Sequence, residues 1–107
     1  SSLFEAEART LPLTLERVER HPDGSQAFLP MHQDPFLVVV APDAGGRPGI
    51  PRAFRTDGAQ GVNYTRGTWH GVLTPMDKPG LFAVFDRIGV GQNLEEHWFD
   101  SPFSVTR

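Results

Sequence analysis

Residues 36–41 read FLVVVA, a continuous apolar run that contains three β-branched valines. Such a run is typical of a strand that is buried on both faces of a sheet. Residues 81–86, LFAVFD, form a second run of the same kind and predict another buried strand. The two runs therefore predict a core that is built from β-strands.

Shorter strand signals surround these two runs, and turn residues separate them. Residues 11–19 mostly alternate apolar with polar side chains, which is typical of a half-buried strand. Turns are marked by Pro-Asp-Gly at 22–24, by Asp57-Gly58 and by Arg66-Gly67. Further strands are predicted over residues 26–31, 52–56, 61–64 and 68–73, a loop over 42–51, and a strand or helical turn over 94–99.

The spacing of these elements predicts the fold class. About seven or eight short strands with a turn every 8–12 residues are typical of a sandwich or a small barrel. The chain has 107 residues, which is the length of one domain. We therefore predict a single all-β domain over residues 1–107.

Composition excludes several classes of protein. The net charge of −3 provides no basic excess for binding nucleic acid. The longest apolar run, residues 35–42, is too short to span a bilayer, so we expect no membrane partner. The absence of Cys excludes a disulfide scaffold and a thiolate metal site, and it fits a reducing compartment such as the cytoplasm.

Four polar residues follow a spacing that can carry chemistry. Glu19, His21 and Gln26 lie close together in the chain, and His70 comes much later, beside Trp69. Residues two apart on a strand share a face, and a further ligand can come from a neighbouring strand. The order resembles the His-x-His, Glu and later His of cupin jelly rolls, with Glu19 replacing the first His and Gln26 the Glu.

Each of these residues also has an ordinary structural explanation. An exposed ion pair with Arg17 or Arg20 would account for Glu19, and such pairs contribute little to stability. A histidine before a Pro turn often caps that turn, a glutamine can satisfy a buried backbone group, and a histidine beside a tryptophan can simply pack. The appearance of all four residues in cupin order favours a site.

Longer stretches resemble the ureidoglycolate lyase family, also called ureidoglycolate hydrolase, from about residue 3 to residue 99. The segments that carry the resemblance are VERHPDGSQAFLPM at 18–31, PFLVVVA at 35–41, RAF at 52–54, GVNY at 61–64, GTWH at 67–70 and DR at 86–87. The resemblance implies a cupin-type double-stranded β-helix, or jelly-roll barrel. It also implies the C-terminal part of a longer family member, a barrel that can lack its N-terminal strands.

The resemblance further implies a reaction. Members of the family split ureidoglycolate into glyoxylate and urea in allantoin degradation, a part of purine metabolism. They usually act as homodimers in the cytoplasm, and some are stimulated by nickel. Ureidoglycolate carries a hydroxyl, a carboxylate and the urea nitrogen on one carbon. Release of urea therefore needs a base for the hydroxyl proton and an acid for the departing nitrogen.

The residues of the chain fit these roles by type. The predicted catalytic residues are Glu19, His21 and His70, with His70 or Glu19 as the base and the remaining group as the acid. Arg binds a carboxylate bidentately, so one of the two arginines in the substrate-binding set would hold the substrate carboxylate. The predicted substrate-binding residues are Gln26, Asn63, Tyr64, Arg66 and Arg87.

A metal ion is a further expectation at the same site. If one binds, its ligands would be His21, His70, Glu19 and Gln26, a mixed nitrogen and oxygen set that suits nickel, zinc, manganese or iron. The amide of Gln26 is a weak ligand compared with a carboxylate. We therefore expect weak binding of a divalent ion such as Ni²⁺, or none.

Two departures from the family pattern leave other functions open. Glu5 stands where the family has Arg, and Gly71 stands where a second His follows the Trp-His pair. Both departures favour a non-catalytic cupin module that binds a small acid, because one fold hosts many functions. A metal-dependent cupin enzyme of other specificity is a third alternative.

Overall fold

The computed structural model describes residues 2–86 and 93–107, and its regular elements there are all strands. This part of the chain contains no helix long and apolar enough to cross a membrane. The strands are β1 (Ser2–Ala6), β2 (Leu13–Arg20), β3 (Gln26–Pro30), β4 (Phe36–Ala41), β5 (Asp43–Ala44), β6 (Arg47–Pro48), β7 (Arg52–Arg55), β8 (Val62–Tyr64), β9 (Trp69–His70), β10 (Thr74–Pro75), β11 (Gly80–Asp86) and β12 (Glu95–Val105).

Two antiparallel sheets form the body of the molecule. The first contains four strands in the order β1-β11-β3-β8, and the second has the order β10-β4-β9-β2-β12 with β7 paired to β4. Strands β2, β3 and β4 lie alternately in the second, first and second sheets, so the chain passes repeatedly from one sheet to the other. This arrangement confirms the predicted all-β jelly roll of cupin type.

The two apolar runs meet in the core. Phe36 of β4 and Phe82 of β11 are fully buried, and their rings pack edge to face with centroids 5.0 Å apart. A second apolar cluster lies on the other face of β4, where Val39 and Ala41 pack with Trp69. Strand β4 is therefore buried on both faces, as its sequence predicted, and burying both faces holds the second sheet between two apolar layers.

Strand β12 covers part of this second cluster. Phe99 and Val105 pack against it, and β12 pairs with β2 along most of its length. The element predicted over 94–99 as a strand or a helical turn is therefore a strand, and it extends to Val105 after an irregularity in register between Trp98 and Phe103. Such irregularities let one long strand follow a curved sheet.

Several elements differ from the prediction made over the same residues. The strand expected over 68–73 is limited to Trp69–His70, after which the chain forms the separate strand β10. The loop expected over 42–51 contains the short hairpin of β5 and β6. Strand β1 was not predicted. It forms because its residues pair with β11, from Ser2 opposite Val84 to Ala6 opposite Gly80, and this partner lies far along the chain.

Candidate active site

Strand β9 places His70 between the two sheets. Its Cα lies opposite Glu19 of β2 on one side and Val40 of β4 on the other. Cross-strand partners share a face, so His70 and Glu19 point to the same side of the sheet. Adjacent residues point to opposite sides, which directs Trp69 into the second apolar cluster and His70, which is 2% exposed, into the interior.

Glu19, His21 and His70 come together as the sequence predicted. Each offers one ligand atom, and these atoms all lie within 4.8 Å of one another. His21 directly follows β2, and its ring lies beside that of His70 with centroids 5.3 Å apart. We call these three residues the histidine–glutamate trio.

Hydrogen bonds define which nitrogen of each histidine has a lone pair that can accept a proton or bind a metal ion. Nδ1 of His21 lies 2.9 Å from the carbonyl oxygen of Asn93, and Nδ1 of His70 lies 3.1 Å from that of Gly71. A carbonyl oxygen only accepts, so each Nδ1 carries the proton of the neutral ring and donates it. Each Nε2 therefore has a free lone pair, and both are buried without a hydrogen-bond partner among the described residues. Metal-binding and proton-accepting histidines are commonly oriented in this way.

The surroundings of His70 favour its neutral form. Burial lowers the pKa of His70, the nearby His21 lowers it further, and the Gly71 carbonyl and Glu19 act in the opposite direction. Tyr64 packs against the same ring, and burial, followed by the charge of Glu19, raises the pKa of its phenol. Near neutral pH the site thus contains an imidazole that can accept a proton and a phenol that keeps its own.

Arg17 touches the site, although the sequence did not single it out for chemistry. Its Nη1 lies 3.3 Å from Oε2 of Glu19 and 3.0 Å from Oε2 of Glu96. The available signal was its position two residues before Glu19 on one strand, because residues two apart share a face. The guanidinium partly offsets the negative charge of Glu19.

A cavity of about 370 Å³ opens beside the trio and between the two sheets. Glu19 and His70 line it from the second sheet, and Gln26 and Asp86 line it from the first. Its described lining contains no Lys or Arg, and most of the remaining wall is apolar. The lining residues are Ser2, Leu3, Phe4, Glu19, Gln26, Phe28, His70, Gly71, Val72, Leu73, Val84 and Asp86.

Gln26 reaches this cavity from an unexpected direction. The sequence analysis allowed a further ligand to come from a neighbouring strand, but β3, which carries Gln26, belongs to the facing sheet. Gln26 is paired with Asp86 of the adjacent strand β11, and its Nε2 lies 3.5 Å from Asp86 Oδ2. The sequence analysis assigned no role to Asp86, although it shares a face of β11 with the buried Phe82 and Val84 and is itself exposed at the end of the strand.

The remaining predicted residues occupy different positions. Tyr64 is buried against His70, whereas Asn63 is exposed and its neighbours on β8 alternate inward. Arg66 is exposed on the turn between β8 and β9, where the Gly67 N–H donates to the His21 carbonyl oxygen at 3.0 Å. Neither Asn63 nor Arg66 is among the residues that line the cavity. Arg87 lies outside the described residues.

Comparison with known proteins identifies the family. The sequence model of the ureidoglycolate lyase family matches residues 1–106. The chain belongs to this family. Its cupin-like fold and the convergence of Glu19, His21 and His70 are therefore features of a ureidoglycolate lyase family member, and the comparisons do not favour the two alternative functions.

Curated relatives carry the same family name. The chain is 56% identical over 104 residues to the ureidoglycolate lyase of Chelativorans sp. (strain BNC1). This match covers 97% of the chain and 63% of the relative. It is 57% identical to ureidoglycolate lyase 2 of Rhizobium meliloti (strain 1021), with 97% and 64% covered. For the ureidoglycolate lyase of Rhodobacter capsulatus, identity is 59%, with 97% and 65% covered. The chain thus spans slightly less than two thirds of the length of these relatives.

Proposed function

We propose that this chain carries the active site of a lyase that splits ureidoglycolate into glyoxylate and urea. The observation that supports the proposal most directly is the convergence of Glu19, His21 and His70 beside a cavity, with both Nε2 atoms free of partners among the described residues. The family membership of the chain and the printed names of its relatives point to the same reaction.

The proposed reaction is a transfer of one proton within the substrate. His70 Nε2 accepts the hydroxyl proton, the hydroxyl carbon and oxygen form a carbonyl, and the bond from that carbon to the urea nitrogen breaks. The imidazolium then returns the proton to the departing nitrogen, so no water is consumed. The lowered pKa of His70 supports this role, because the base must be neutral before the reaction begins.

Glu19 has a supporting role in this scheme. Its carboxylate is the cross-strand neighbour of His70 and favours the charged imidazole that forms during proton transfer. Arg17 contacts the Glu19 carboxylate, and we give both the base role and the acid role to His70. His21 packs beside His70 and limits the positions that its ring can occupy.

The substrate carboxylate needs a positive counter-charge from beyond the described cavity lining. Arg66 and Arg87 remain the predicted sources, and Arg17 adds positive charge behind Glu19. The substrate-binding roles of Asn63 and Tyr64 also remain predictions. The buried hydroxyl of Tyr64 has no hydrogen-bond partner among the described residues, and Tyr64 is not among the residues that line the cavity.

The same trio fits a divalent ion such as Ni²⁺, because it combines two free imidazole nitrogens with a carboxylate. When bound, the ion would supply positive charge that lowers the pKa of the substrate hydroxyl. The Nε2 lone pair of His70 can hold either a proton or an ion, but not both at once. We propose that binding of the ion is weak, since Gln26 in the facing sheet is an amide, and that proton transfer by His70 is the catalytic role.

Three finer expectations accompany this proposal. The reaction would belong to allantoin degradation in purine metabolism, the enzyme would act as a homodimer, and it would be located in the cytoplasm. The first two come from the family resemblance, and the third also from the absence of Cys. Size-exclusion chromatography with light scattering tests the homodimer directly.

The decisive experiment compares wild type with His70→Ala and with His32→Ala. His32 packs on Phe36, at the end of β4 away from Val40, and so provides a histidine control outside the site. We expect wild type to release glyoxylate and urea in equal amounts and His70→Ala to lose at least ~100-fold in kcat. Retained turnover in folded His70→Ala, or release of ammonia in place of urea, would contradict the proposal.

Removal of metal separates the two roles of His70. We expect wild-type protein that has been dialysed against a chelator to retain most of its activity, and His70→Ala to stay inactive with or without Ni²⁺. Complete loss of activity on dialysis, followed by recovery with Ni²⁺, would instead assign His70 to a metal site.

A further inference from the structure

We propose that Gln26 and Asp86 form a subsite that binds the neutral ureido end of the substrate and rejects a second carboxylate. The inference rests on the proposed function, because it assigns the two ends of ureidoglycolate to opposite sides of the cavity. It concerns Asp86 above all, a residue that neither the sequence pattern nor the family comparison assigned to the site.

The fold places the two side chains together and opposite the trio. Gln26 and Asp86 are direct cross-strand partners on β3 and β11, so they share a face of the first sheet. Both line the cavity, and Glu19 and His70 line it from the second sheet. The first sheet also contributes the apolar Phe28 and Val84 to the wall, so a ligand between the two sheets has one polar anchor on each sheet.

The hydrogen-bonding capacity of the pair matches a ureido group. The described hydrogen bond to the Asp86 carboxylate comes from Gln26 Nε2, at a long 3.5 Å, which leaves most of its acceptor positions available. A ureido group presents several N–H donors and one carbonyl oxygen. Asp86 can accept two of these N–H groups, while the Gln26 amide donates to the carbonyl oxygen.

Charge decides which end of the substrate approaches Asp86. The carboxylate of Glu19 has the guanidinium of Arg17 3.3 Å away, whereas the described ion pairs include none to Asp86. The negative end of an α-hydroxy acid is therefore repelled more strongly from Asp86 than from the trio. The substrate carboxylate and hydroxyl consequently face His70, and the ureido nitrogens face Asp86. Of the two predicted arginines, this orientation favours Arg66 as the partner of the carboxylate, because Arg87 directly follows Asp86 in the chain.

This orientation also predicts specificity. A ligand with a second carboxylate in place of the ureido group would bring two like charges together at Asp86, which disfavours binding. Hydroxymalonate is such a ligand, since it keeps the hydroxyl and one carboxylate of ureidoglycolate. Ureidoacetate keeps the ureido group and the carboxylate but lacks the hydroxyl, so it binds without reacting. Glycolate lacks the ureido group altogether.

The test measures the binding of these three ligands to wild type, Asp86→Asn and Asp100→Asn by calorimetry. Asp100 is exposed on β12 and provides a charge-matched control away from the cavity lining. We expect Asp86→Asn to weaken ureidoacetate about tenfold, to leave glycolate within about twofold, and to gain measurable affinity for hydroxymalonate. Gln26→Leu should weaken ureidoacetate but should not admit hydroxymalonate.

Equal weakening of ureidoacetate and glycolate binding in Asp86→Asn would overturn the subsite. Unchanged ureidoacetate binding in that variant would overturn it as well, and so would a wild type that does not bind ureidoacetate. The gain of hydroxymalonate binding cannot arise from unfolding. Because ureidoacetate is not turned over, the subsite can be confirmed even if ureidoglycolate is not cleaved. In that case the lyase proposal alone fails.

Discussion

The ring of Tyr64 lies flat against the ring of His70, with centroids 4.0 Å apart and planes within 3° of parallel. The two residues come from neighbouring regions of different sheets, since Tyr64 is on β8 and His70 on β9. The stack fixes the plane of the imidazole, and the hydrogen bond from Nδ1 to Gly71 fixes its rotation within that plane. The free Nε2 is therefore held in one direction.

The stack predicts different consequences for two substitutions of Tyr64. Tyr64→Phe keeps the aromatic ring and removes a buried hydroxyl that has no described partner, so we expect the free energy of unfolding to change by less than about 1 kcal/mol. Tyr64→Leu loses the aromatic contact, which should lower stability by about 0.5–1.5 kcal/mol beyond the effect of lost area, and should lower kcat. Urea denaturation and steady-state kinetics measure both. A strongly destabilised Tyr64→Phe would show that the hydroxyl is hydrogen-bonded.

The burial of His70 predicts how stability depends on pH. In the unfolded chain its pKa is ~6.5, and burial lowers the pKa in the folded protein. As the pH falls below ~6.5, the unfolded chain takes up a proton at this residue before the folded protein does. The free energy of unfolding therefore decreases until the pH reaches the pKa of His70 in the folded protein. We expect His70→Gln to lose less stability than wild type between about pH 7 and pH 5, in denaturation experiments with chelator present. An equal loss in both proteins would contradict a lowered pKa.

Gly71 predicts the effect of restoring the family's second histidine. A Cβ at this position would lie 3.3 Å from Leu15 Cδ1 and 3.5 Å from Val39 Cβ, in the second apolar cluster. A side chain at 71 would thus be directed away from the trio. We expect Gly71→His to lower the free energy of unfolding by about 1–3 kcal/mol without tighter binding of Ni²⁺.

Ile50→His is the control for this substitution, because Ile50 is 77% exposed and is not among the residues that line the cavity. Its stability should stay close to that of wild type. Unchanged stability of Gly71→His together with strong Ni²⁺ binding would show that the introduced imidazole reaches the trio.

The outer side of β9 predicts a link between Trp69 and Asp43. The indole Nε1–H donates to Asp43 Oδ1 at 3.0 Å, and this hydrogen bond is the largest cause of the lowered pKa of the Asp43 carboxyl. Trp69→Phe removes the donor and keeps a ring, so we expect the pKa of Asp43 to rise toward its ordinary value. NMR titration of the carboxyl groups measures the shift. Trp98→Phe, at a tryptophan that is 60% exposed, should leave Asp43 unchanged.

A low pKa of Asp43 stabilises the fold above the pKa of the unfolded chain, and this stability is lost as the pH falls through the folded value. The acid side of the stability profile should therefore be less steep in Trp69→Phe. If Asp43 titrates identically in the wild type and in Trp69→Phe, the indole hydrogen bond has no electrostatic role.

The order of strands along the chain could be predicted from local patterns. The runs at 36–41 and 81–86 are buried strands because continuous β-branched and aromatic residues suit a sheet that is covered on both faces. Turns predicted from the sequence at residues 22–24 and at Arg66-Gly67 are present in the structure, and each separates two strands. The strands β1 and β10 escaped prediction, because short segments gain their stability from partners that are distant in the chain.

The sequence by itself determined the all-β class, the buried strands and the family, and it identified Glu19, His21 and His70 as one set. Tertiary structure alone decided how that set is completed. The two-residue period tells which face a side chain occupies, but it does not tell which strand or sheet lies next to it. The pairing of β9 with β2 brings His70 to Glu19, and the crossing of β3 to the facing sheet sets Gln26 and Asp86 across the cavity. These two arrangements depend on packing between strands that are distant in the chain, so no local sequence pattern could predict them.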